Sequence, residues 1–140
     1  MIIDRTVLDE IRRAVETQYP NEGCGLLVGE VGGGVRVAHQ LAMTNRRIGD
    51  GAKAKRYWIA PEDFRAASHA VAAAGLEIVG VYHSHPDAPA CPSSYDREHA
   101  WPWYRYLIVS VADGTASDVR AWQLRDDRSG FIEHAVRIEN

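Results

Sequence analysis

Two histidines, His83 and His85, lie two residues apart in the stretch His-Ser-His-Pro. They follow the β-branched and aromatic run Ile78–Tyr82, whose composition predicts a central strand. Side chains at positions i and i+2 of a strand project from the same face. We therefore expect the two imidazoles to lie side by side, an arrangement that suits a borderline-soft cation such as zinc. Two histidines alone do not make such a site, and a third ligand is required.

The third ligand has four candidates downstream of the histidines: Asp87, Cys91, Asp96 and His99. Asp96 falls in the first turn of a short helix that we predict to be capped by Ser93 or Ser94. The dipole of a helix favours an ionised carboxylate there, which is the form that binds a metal. The proline-containing loop can bring Asp96 back toward the histidines. Spacing alone favours Asp96 only modestly and leaves the other three open.

Two further polar residues have both a structural and a functional interpretation. Ser93 and Asp96 have the spacing of a capping box, which is compatible with a serine hydroxyl that also faces a metal site. Glu22 follows Pro20 and Asn21, where a solvated loop carboxylate is the simplest interpretation. Cys24 is expected to be a small buried apolar side chain rather than a nucleophile.

Taken together, these residues form an ordered pattern. His83 opens H-x-H-P, Ser93 and Asp96 close it as P-S-x-x-D, and Glu22 lies upstream in Glu-Gly-Cys-Gly before an apolar strand. The pattern resembles the JAMM (MPN+) zinc metalloproteases, which contain the JAB domain, and in particular the compact stand-alone prokaryotic members. The resemblance covers most of the chain, from about Thr6 to Leu124.

The resemblance implies a catalytic site with a single zinc ion as its only cofactor. The metal ligands would be His83, His85 and Asp96, with water in the open fourth position. Glu22 would be the general base that takes the proton from that water, and Ser93 would help to stabilise the oxyanion. It also implies an α/β (mixed α+β) fold similar to that of JAMM proteins and cytidine deaminases, with a central curved mixed sheet flanked by about three helices.

The implied function is that of a zinc peptidase or isopeptidase, which cuts the amide bond after the Gly-Gly tail of a ubiquitin-like or sulfur-carrier β-grasp protein. One alternative is a non-catalytic MPN-type scaffold, although such proteins usually lose ligands. Another is a DNA-repair-associated JAB-like domain, which typically has a serine-glycine pair where this chain has Asp87 and Ala88. A zinc deaminase would need H-x-E and P-C-x-x-C, which the chain lacks around His85 and Cys91.

Three helices are expected to support this site. The spacing of apolar residues predicts a helix over Thr6–Tyr19, capped by Thr6 and with Asp9 and Glu10 in its first turn. A second helix is predicted from Pro61 to about Ala74, ended by Gly75. The third is the short helix after Ser93 or Ser94, which ends by Pro102.

Seven strands are expected, and the mixture of strands and helices predicts a sheet with helices packed against it. They are Leu26–Gly29, Val35–Met43, Tyr57–Ile59, Ile78–Tyr82, Tyr104–Ala112, Val119–Leu124 and Phe131–Ile138. The first two are joined by three glycines and are predicted to form a hairpin.

Two other clusters have open interpretations. Aromatic side chains follow the predicted metal loop, and we expect them to anchor the helix end in the core, with substrate contact as the alternative: Trp101, Trp103, Tyr104 and Tyr106. The segment Asn45–Arg56 holds five basic residues and one acid. It is expected to be a solvated loop, or else to recognise an acidic partner surface.

Composition limits the remaining function classes. The 140 residues carry 16 Lys+Arg and 19 Asp+Glu, and the net charge of −3 argues against a general nucleic-acid binder. With 46% hydrophobic residues the chain is expected to form one globular domain over 1–140. No run reaches the ~20 apolar residues of a membrane span.

The N-terminus lacks the layout of a signal peptide, and Cys24 and Cys91 are expected as free thiols, so we predict a cytoplasmic protein. We expect a monomer or a weak homodimer.

Overall fold

The computed structural model describes residues 1–140. It contains three α-helices: α1 (Arg5–Gln18), α2 (Pro61–Ala73) and α3 (Ser94–His99). The strands are β1 (Ile2–Asp4), β2 (Cys24–Val31), β3 (Val35–Met43), β4 (Glu77–Pro86), β5 (Arg105–Ala112), β6 (Thr115–Leu124), β7 (Phe131–His134) and β8 (Arg137–Glu139). A short 3-10 helix spans Ala52–Ala54.

All eight strands form one mixed sheet in the order β7-β6-β5-β4-β2-β3-β1-β8. Strand β4 lies in the interior of the sheet, parallel to β5 and antiparallel to β2. The register shifts at Leu27/Val28 and Val28/Gly29 on β2, and such bulges increase the local twist. The expected fold, a curved mixed sheet with three helices, is confirmed.

Helix α1 and the other two helices lie against separate apolar clusters. The buried stripe of α1 consists of Val7, Leu8, Ile11 and Val15, as its spacing predicts, and it packs in the larger cluster with Leu107. The smaller cluster includes Val81 of β4 and Tyr106 of β5, and is covered by Phe64 of α2 and by Ala100 after α3. His83 and His85 therefore lie near the end of a strand, β4, that is packed on both sides.

Glycine is required where β2 passes β4. A Cβ atom on Gly25 would lie 2.3 Å from the ring of Tyr82, which is fully buried and donates a hydrogen bond to Gln40 Oε1 at 2.7 Å. The Glu-Gly-Cys-Gly stretch therefore ends in a residue whose missing side chain leaves room for that ring.

The start of the first helix differs from the prediction. Helix α1 begins at Arg5, with the extended residue Asp4 as its N-cap and without a side-chain capping bond. Thr6 is therefore inside the helix and does not cap it, and Asp9 and Glu10 lie beyond the first turn. The difference arises because β1, which is too short to show alternation, occupies the residues before the helix.

Two predicted strands are also wrong. Tyr57–Ile59 has no regular secondary structure and lies outside the sheet, because the backbone of Trp58 bonds to a neighbouring loop. Its N–H donates to Asn45 Oδ1 at 3.2 Å and its carbonyl accepts from the Arg46 N–H at 2.9 Å. Phe131–Ile138 divides into two strands. The first, β7, pairs with β6, and the second, β8, pairs with β1 at the opposite edge of the sheet.

Other elements agree with the sequence. The β2–β3 hairpin turns at the three glycines, and α2 ends before Gly75, whose φ of 75° is readily adopted by glycine. None of the helices has the length and apolar character needed to cross a membrane.

Candidate metal and catalytic site

The end of β4 places the two histidines side by side. His83 Nε2 lies 3.1 Å from His85 Nε2, so the shared face predicted from the i, i+2 spacing is confirmed. His83 is 1% exposed, and its ring stacks on Tyr57 with centroids 4.6 Å apart. The His83 Nδ1 atom is buried without a hydrogen-bond partner, so on that side the ring is held by packing alone.

Asp96 meets both histidines from α3. Its two carboxylate oxygens lie 3.3 Å from His83 Nε2 and 3.3 Å from His85 Nε2. The helix begins with a capping box, in which Asp96 N–H donates to Ser93 Oγ at 3.1 Å and Ser93 N–H donates to Asp96 Oδ2 at 2.8 Å. Burial alone would raise the pKa of the Asp96 carboxyl, but His83, His85 and the Ser93 N–H hold it well below its usual range.

The spacing of these donor atoms suits a small tetrahedral cation. Zinc bound at about 2.0–2.1 Å by nitrogen and oxygen ligands separates neighbouring ligand atoms by about 3.3 Å. The nitrogen–nitrogen distance of 3.1 Å is close to that value, as is the 3.3 Å from each nitrogen to its own oxygen of the Asp96 carboxylate. Two imidazoles and one ionised carboxylate are also the donor types that zinc takes, so these residues fit the ion.

The two histidine rings differ in the hydrogen-bond partner of Nδ1 and in the direction of their pKa shifts. His85 Nδ1 lies 2.8 Å from the Pro89 carbonyl oxygen, which can only accept, so Nδ1 carries a hydrogen and, in the neutral ring, the Nε2 lone pair faces the cluster. Burial lowers the pKa of His83. For His85, burial acts in the same direction, but its bonds to Asp96 and to the Pro89 carbonyl outweigh it and raise the pKa.

Glu22 is the fourth member of the cluster. It is 5% exposed, and one carboxylate oxygen lies with the ring nitrogens of His83 and His85 in a group whose members are all within 4.8 Å of one another. Burial raises the pKa of Glu22 to about 8, and the Asp96 carboxylate adds to that effect, while His85 and Arg56 oppose it. The carboxyl group can therefore carry a proton near neutral pH, unlike Asp96.

Ser84 and Asn45 position Glu22, although no pattern in the sequence marks either residue. Ser84 lies between the two histidines, is fully buried, and accepts a hydrogen bond at its Oγ from the Gly23 N–H at 2.9 Å. Asn45 donates to the Glu22 carbonyl at 3.0 Å and to the Arg56 carbonyl at 3.1 Å. Alternation along β4 predicts that Ser84 points away from the histidines, but its partner follows only from the pairing with β2.

The other three candidate ligands lie elsewhere. Asp87 accepts hydrogen bonds from the Tyr19 hydroxyl at 2.6 Å and from the Asp113 N–H at 2.8 Å. Cys91 is exposed and accepts from Arg120, and His99 pairs with the Tyr95 carbonyl at 2.9 Å. Both cysteines are free, as expected, and burial raises the pKa of the buried Cys24 thiol to about 12, so it is not a nucleophile.

Two grooves border the cluster. The smaller has a volume of about 290 Å³ and is lined by Glu22, His85, Ser93 and the basic pair Lys55 and Arg56. The larger, of about 680 Å³, is mostly apolar and includes Asp96 in its lining. We call it the aromatic groove, after its side chains Tyr57, Trp58, Phe64, Tyr95, Trp101, Trp103, Tyr104 and Tyr106.

The aromatic side chains only partly follow the prediction. Tyr106 is buried in the core, as expected, but Trp101 and Trp103 are 52% and 65% exposed and stack on each other with centroids 5.0 Å apart. Of the basic loop, Arg46 pairs with Asp63, while Arg56 lies 4.7 Å from the centroid of the Tyr95 ring. Exposed tryptophans in a groove are typical of a binding surface.

Comparison with known proteins gives matches over most of the chain. The model of a family described as prokaryotic homologues of the JAB domain matches residues 4–125. The desampylase of Haloferax volcanii is 35% identical over 109 residues, which are 75% of this chain and 73% of that protein. A probable TtuB-protein conjugate cleaving protease of Thermus thermophilus is 30% identical over 124 residues, 89% of this chain and 76% of that protein.

Solved structures agree with these matches. A protein from Salinibacter ruber superposes with a TM-score of 0.78 at 43% identity, over 100% of this chain and 92% of the other. A JAB1/MPN domain protein from Archaeoglobus fulgidus has the same fold, with a TM-score of 0.64 at 18% identity and complete coverage of both chains.

Proposed function

The chain belongs to the family of prokaryotic homologues of the JAB domain, and we propose that it is a zinc-dependent isopeptidase or peptidase. One observation carries the proposal: the buried Glu22 adjoins His83 and His85, whose Nε2 atoms lie 3.1 Å apart and each 3.3 Å from an oxygen of the Asp96 carboxylate. In this proposal the ligands are His83, His85 and Asp96. When bound, zinc supplies Lewis-acid chemistry, in which it polarises a carbonyl oxygen and acidifies water.

Glu22 is the general base in this reaction. A raised pKa near neutrality lets one carboxyl group take a proton from the attacking water and give it to the leaving amine. The ionised Asp96 does not suit that role, since its low pKa leaves it little tendency to accept a proton. The hydrogen bonds from Ser84 to Gly23 and from Asn45 to the Glu22 carbonyl hold the base beside the cluster.

Ser93 stabilises the oxyanion. Its Oγ accepts the Asp96 N–H within the capping box, which leaves the hydroxyl hydrogen free to donate. Ser93 lines the smaller groove together with Glu22 and His85, so that hydrogen can reach a carbonyl oxygen at the cluster. A fixed donor of this kind contributes because it needs no reorientation as the charge develops.

The substrate class follows from the relatives and from the grooves. The relatives are named as a desampylase and as a probable TtuB-protein conjugate cleaving protease. We infer that this chain likewise releases a ubiquitin-like or sulfur-carrier protein from its conjugates, with the bond after a Gly-Gly tail at the cluster. The aromatic groove then receives apolar side chains of that partner, since Trp101 and Trp103 are exposed along it.

The test combines zinc content with cleavage of a ubiquitin-like Gly-Gly-lysine conjugate. We expect wild type to hold one zinc and to cut, Glu22→Gln to hold zinc without cutting, and Asp96→Asn to lose zinc. Glu30→Gln is the matched control, because Glu30 is exposed on β2, and it should behave as wild type.

Three results would contradict parts of this proposal. A wild-type protein that binds no zinc would favour the non-catalytic scaffold. Zinc binding without cleavage of any such conjugate would refute the substrate class. Full activity of Glu22→Gln would refute the assignment of the base.

A further inference from the structure

The loop after β4, residues 87–91, is held to the sheet by side chains from other elements. Its Ala88 carbonyl accepts a hydrogen bond from Ser110 Oγ at 2.6 Å, and its Ala90 carbonyl accepts one from Trp122 Nε1 at 3.0 Å. Ser110 lies on β5 and Trp122 on β6, so two strands hold the loop from the same side of β4.

Between these two anchors lies Pro89, whose carbonyl contacts His85 Nδ1 at 2.8 Å. Because a carbonyl can only accept, this contact selects the tautomer with hydrogen on Nδ1. The Nε2 lone pair then faces His83 and Asp96, which is the arrangement that the proposed zinc site needs. Partners of this kind orient a metal-binding histidine, and their loss typically weakens metal binding.

The loop cannot hold itself in place with its own backbone. Pro89 and the flanking Pro86 and Pro92 have no N–H group to donate. The two ends of the loop are tied by their own groups: Asp87 bonds to Val111, Tyr19 and Asp113, and Cys91 Sγ accepts a bond from Arg120. The position of the Pro89 carbonyl therefore depends on the two peptide units beside it, and these are the units that Ser110 and Trp122 hold.

We propose that Ser110 and Trp122 are positioning residues that set the tautomer and orientation of His85 through the Pro89 carbonyl. The inference rests on the proposed function only in taking His85 Nε2 as a zinc ligand. Ser110 is directly suited to this role, since it lies opposite His85 in the β4–β5 register.

The experiment uses the full chain with Ser110→Ala and Trp122→Phe, each of which removes one donor and keeps most of the packing. Ser110→Thr retains the hydroxyl and should restore wild-type behaviour. Ser68→Ala is the matched control, because it removes a serine hydroxyl that donates to the Phe64 carbonyl within α2. The first readout is the ¹⁵N chemical shifts of the His85 ring in the zinc-free protein, measured at a pH above which these shifts no longer change, so that the ring is neutral.

The second readout is the zinc dissociation constant, measured by competition with a chelator. We expect a single Nδ1–H tautomer in wild type and in Ser68→Ala, a mixture in the two anchor variants, and zinc affinity lowered about ten-fold or more in both. A thermal melt of each variant confirms that it is folded, and Trp122→Phe tests the inference alone if Ser110→Ala is unfolded.

Unchanged tautomers in the folded variants, or affinities within about two-fold of wild type, would overturn the inference. If wild type binds no zinc, the proposed function fails instead. The tautomer of His85 in the zinc-free protein then still decides whether the anchors position the ring.

Discussion

Ser84→Ala removes the hydroxyl that lies between the two histidine positions and ties β4 to the residue after Glu22. In wild type, Ser84 Oγ accepts a hydrogen bond from the Gly23 N–H at 2.9 Å, and Ser84 is 0% exposed. Without the hydroxyl, the Gly23 N–H stays buried and has no partner. An unsatisfied buried donor costs about 1–3 kcal/mol.

The expected change in melting temperature follows from the length of the chain. Unfolding entropy of about 2.1 cal/mol/K per residue gives roughly 0.3 kcal/mol/K for 140 residues. A loss of about 2 kcal/mol therefore lowers Tm by about 7 °C. The catalytic effect is larger, because Glu22 adjoins Gly23 and small displacements of a catalytic group reduce rates by up to about a hundred-fold.

The assay measures calorimetric Tm, bound zinc, and kcat on a Gly-Gly-lysine conjugate for Ser84→Ala and for Ser68→Ala. Ser84→Ala should keep its zinc while kcat falls at least about ten-fold, and the control should change stability by less than about 0.5 kcal/mol. A Tm within about 2 °C of wild type together with an unchanged kcat would refute the reasoning.

Three further changes have defined outcomes. Gly25→Ala places a methyl group 2.3 Å from the Tyr82 ring, so denaturant titration should show a loss of more than about 2 kcal/mol, and a neutral result would mean that the ring moves freely. Trp101→Ala should raise KM several-fold with little change in kcat, and the reverse pattern in steady-state kinetics would place the aromatic groove outside substrate binding. Zinc affinity should fall about ten-fold per pH unit below the raised pKa of His85, because the proton competes with the metal at that ring. Chelator competition at several pH values measures this dependence. An affinity that does not change with pH would exclude His85 as a ligand.

The parts of the site that could be predicted are those fixed by local geometry. His83 and His85 share a face because alternation along a strand is set by its own backbone, and Ser93 caps α3 through a contact only three residues long. Local geometry did not decide between Asp96 and the other candidate ligands Asp87, Cys91 and His99. The choice of Asp96 followed from the family resemblance, since spacing alone left all four open.

The parts that could not be predicted depend on distant pairing. Asn45 reaches Glu22 across 23 positions, and Ser84 reaches Gly23 across 61, so neither bond has a local signal. Tyr57–Ile59 has the composition of a strand, yet the Trp58 N–H donates its hydrogen bond to the Asn45 side chain and not to a neighbouring strand. Trp101 and Trp103 have an apolar character that favours burial, and their exposure reflects a surface groove that composition does not reveal.

Asp96 contacts the histidines and the start of α3 with the same carboxylate. Its Oδ2 accepts the Ser93 N–H while it also lies near His85, and α3 is only 6 residues long. A helix this short has little stability of its own. If zinc occupies the cluster, ion binding and the folding of this turn are therefore linked equilibria, in which each favours the other by the same free energy. Fluctuations that fray the turn would set how fast the ion escapes, and amide hydrogen exchange at Asp96 would slow on metal loading.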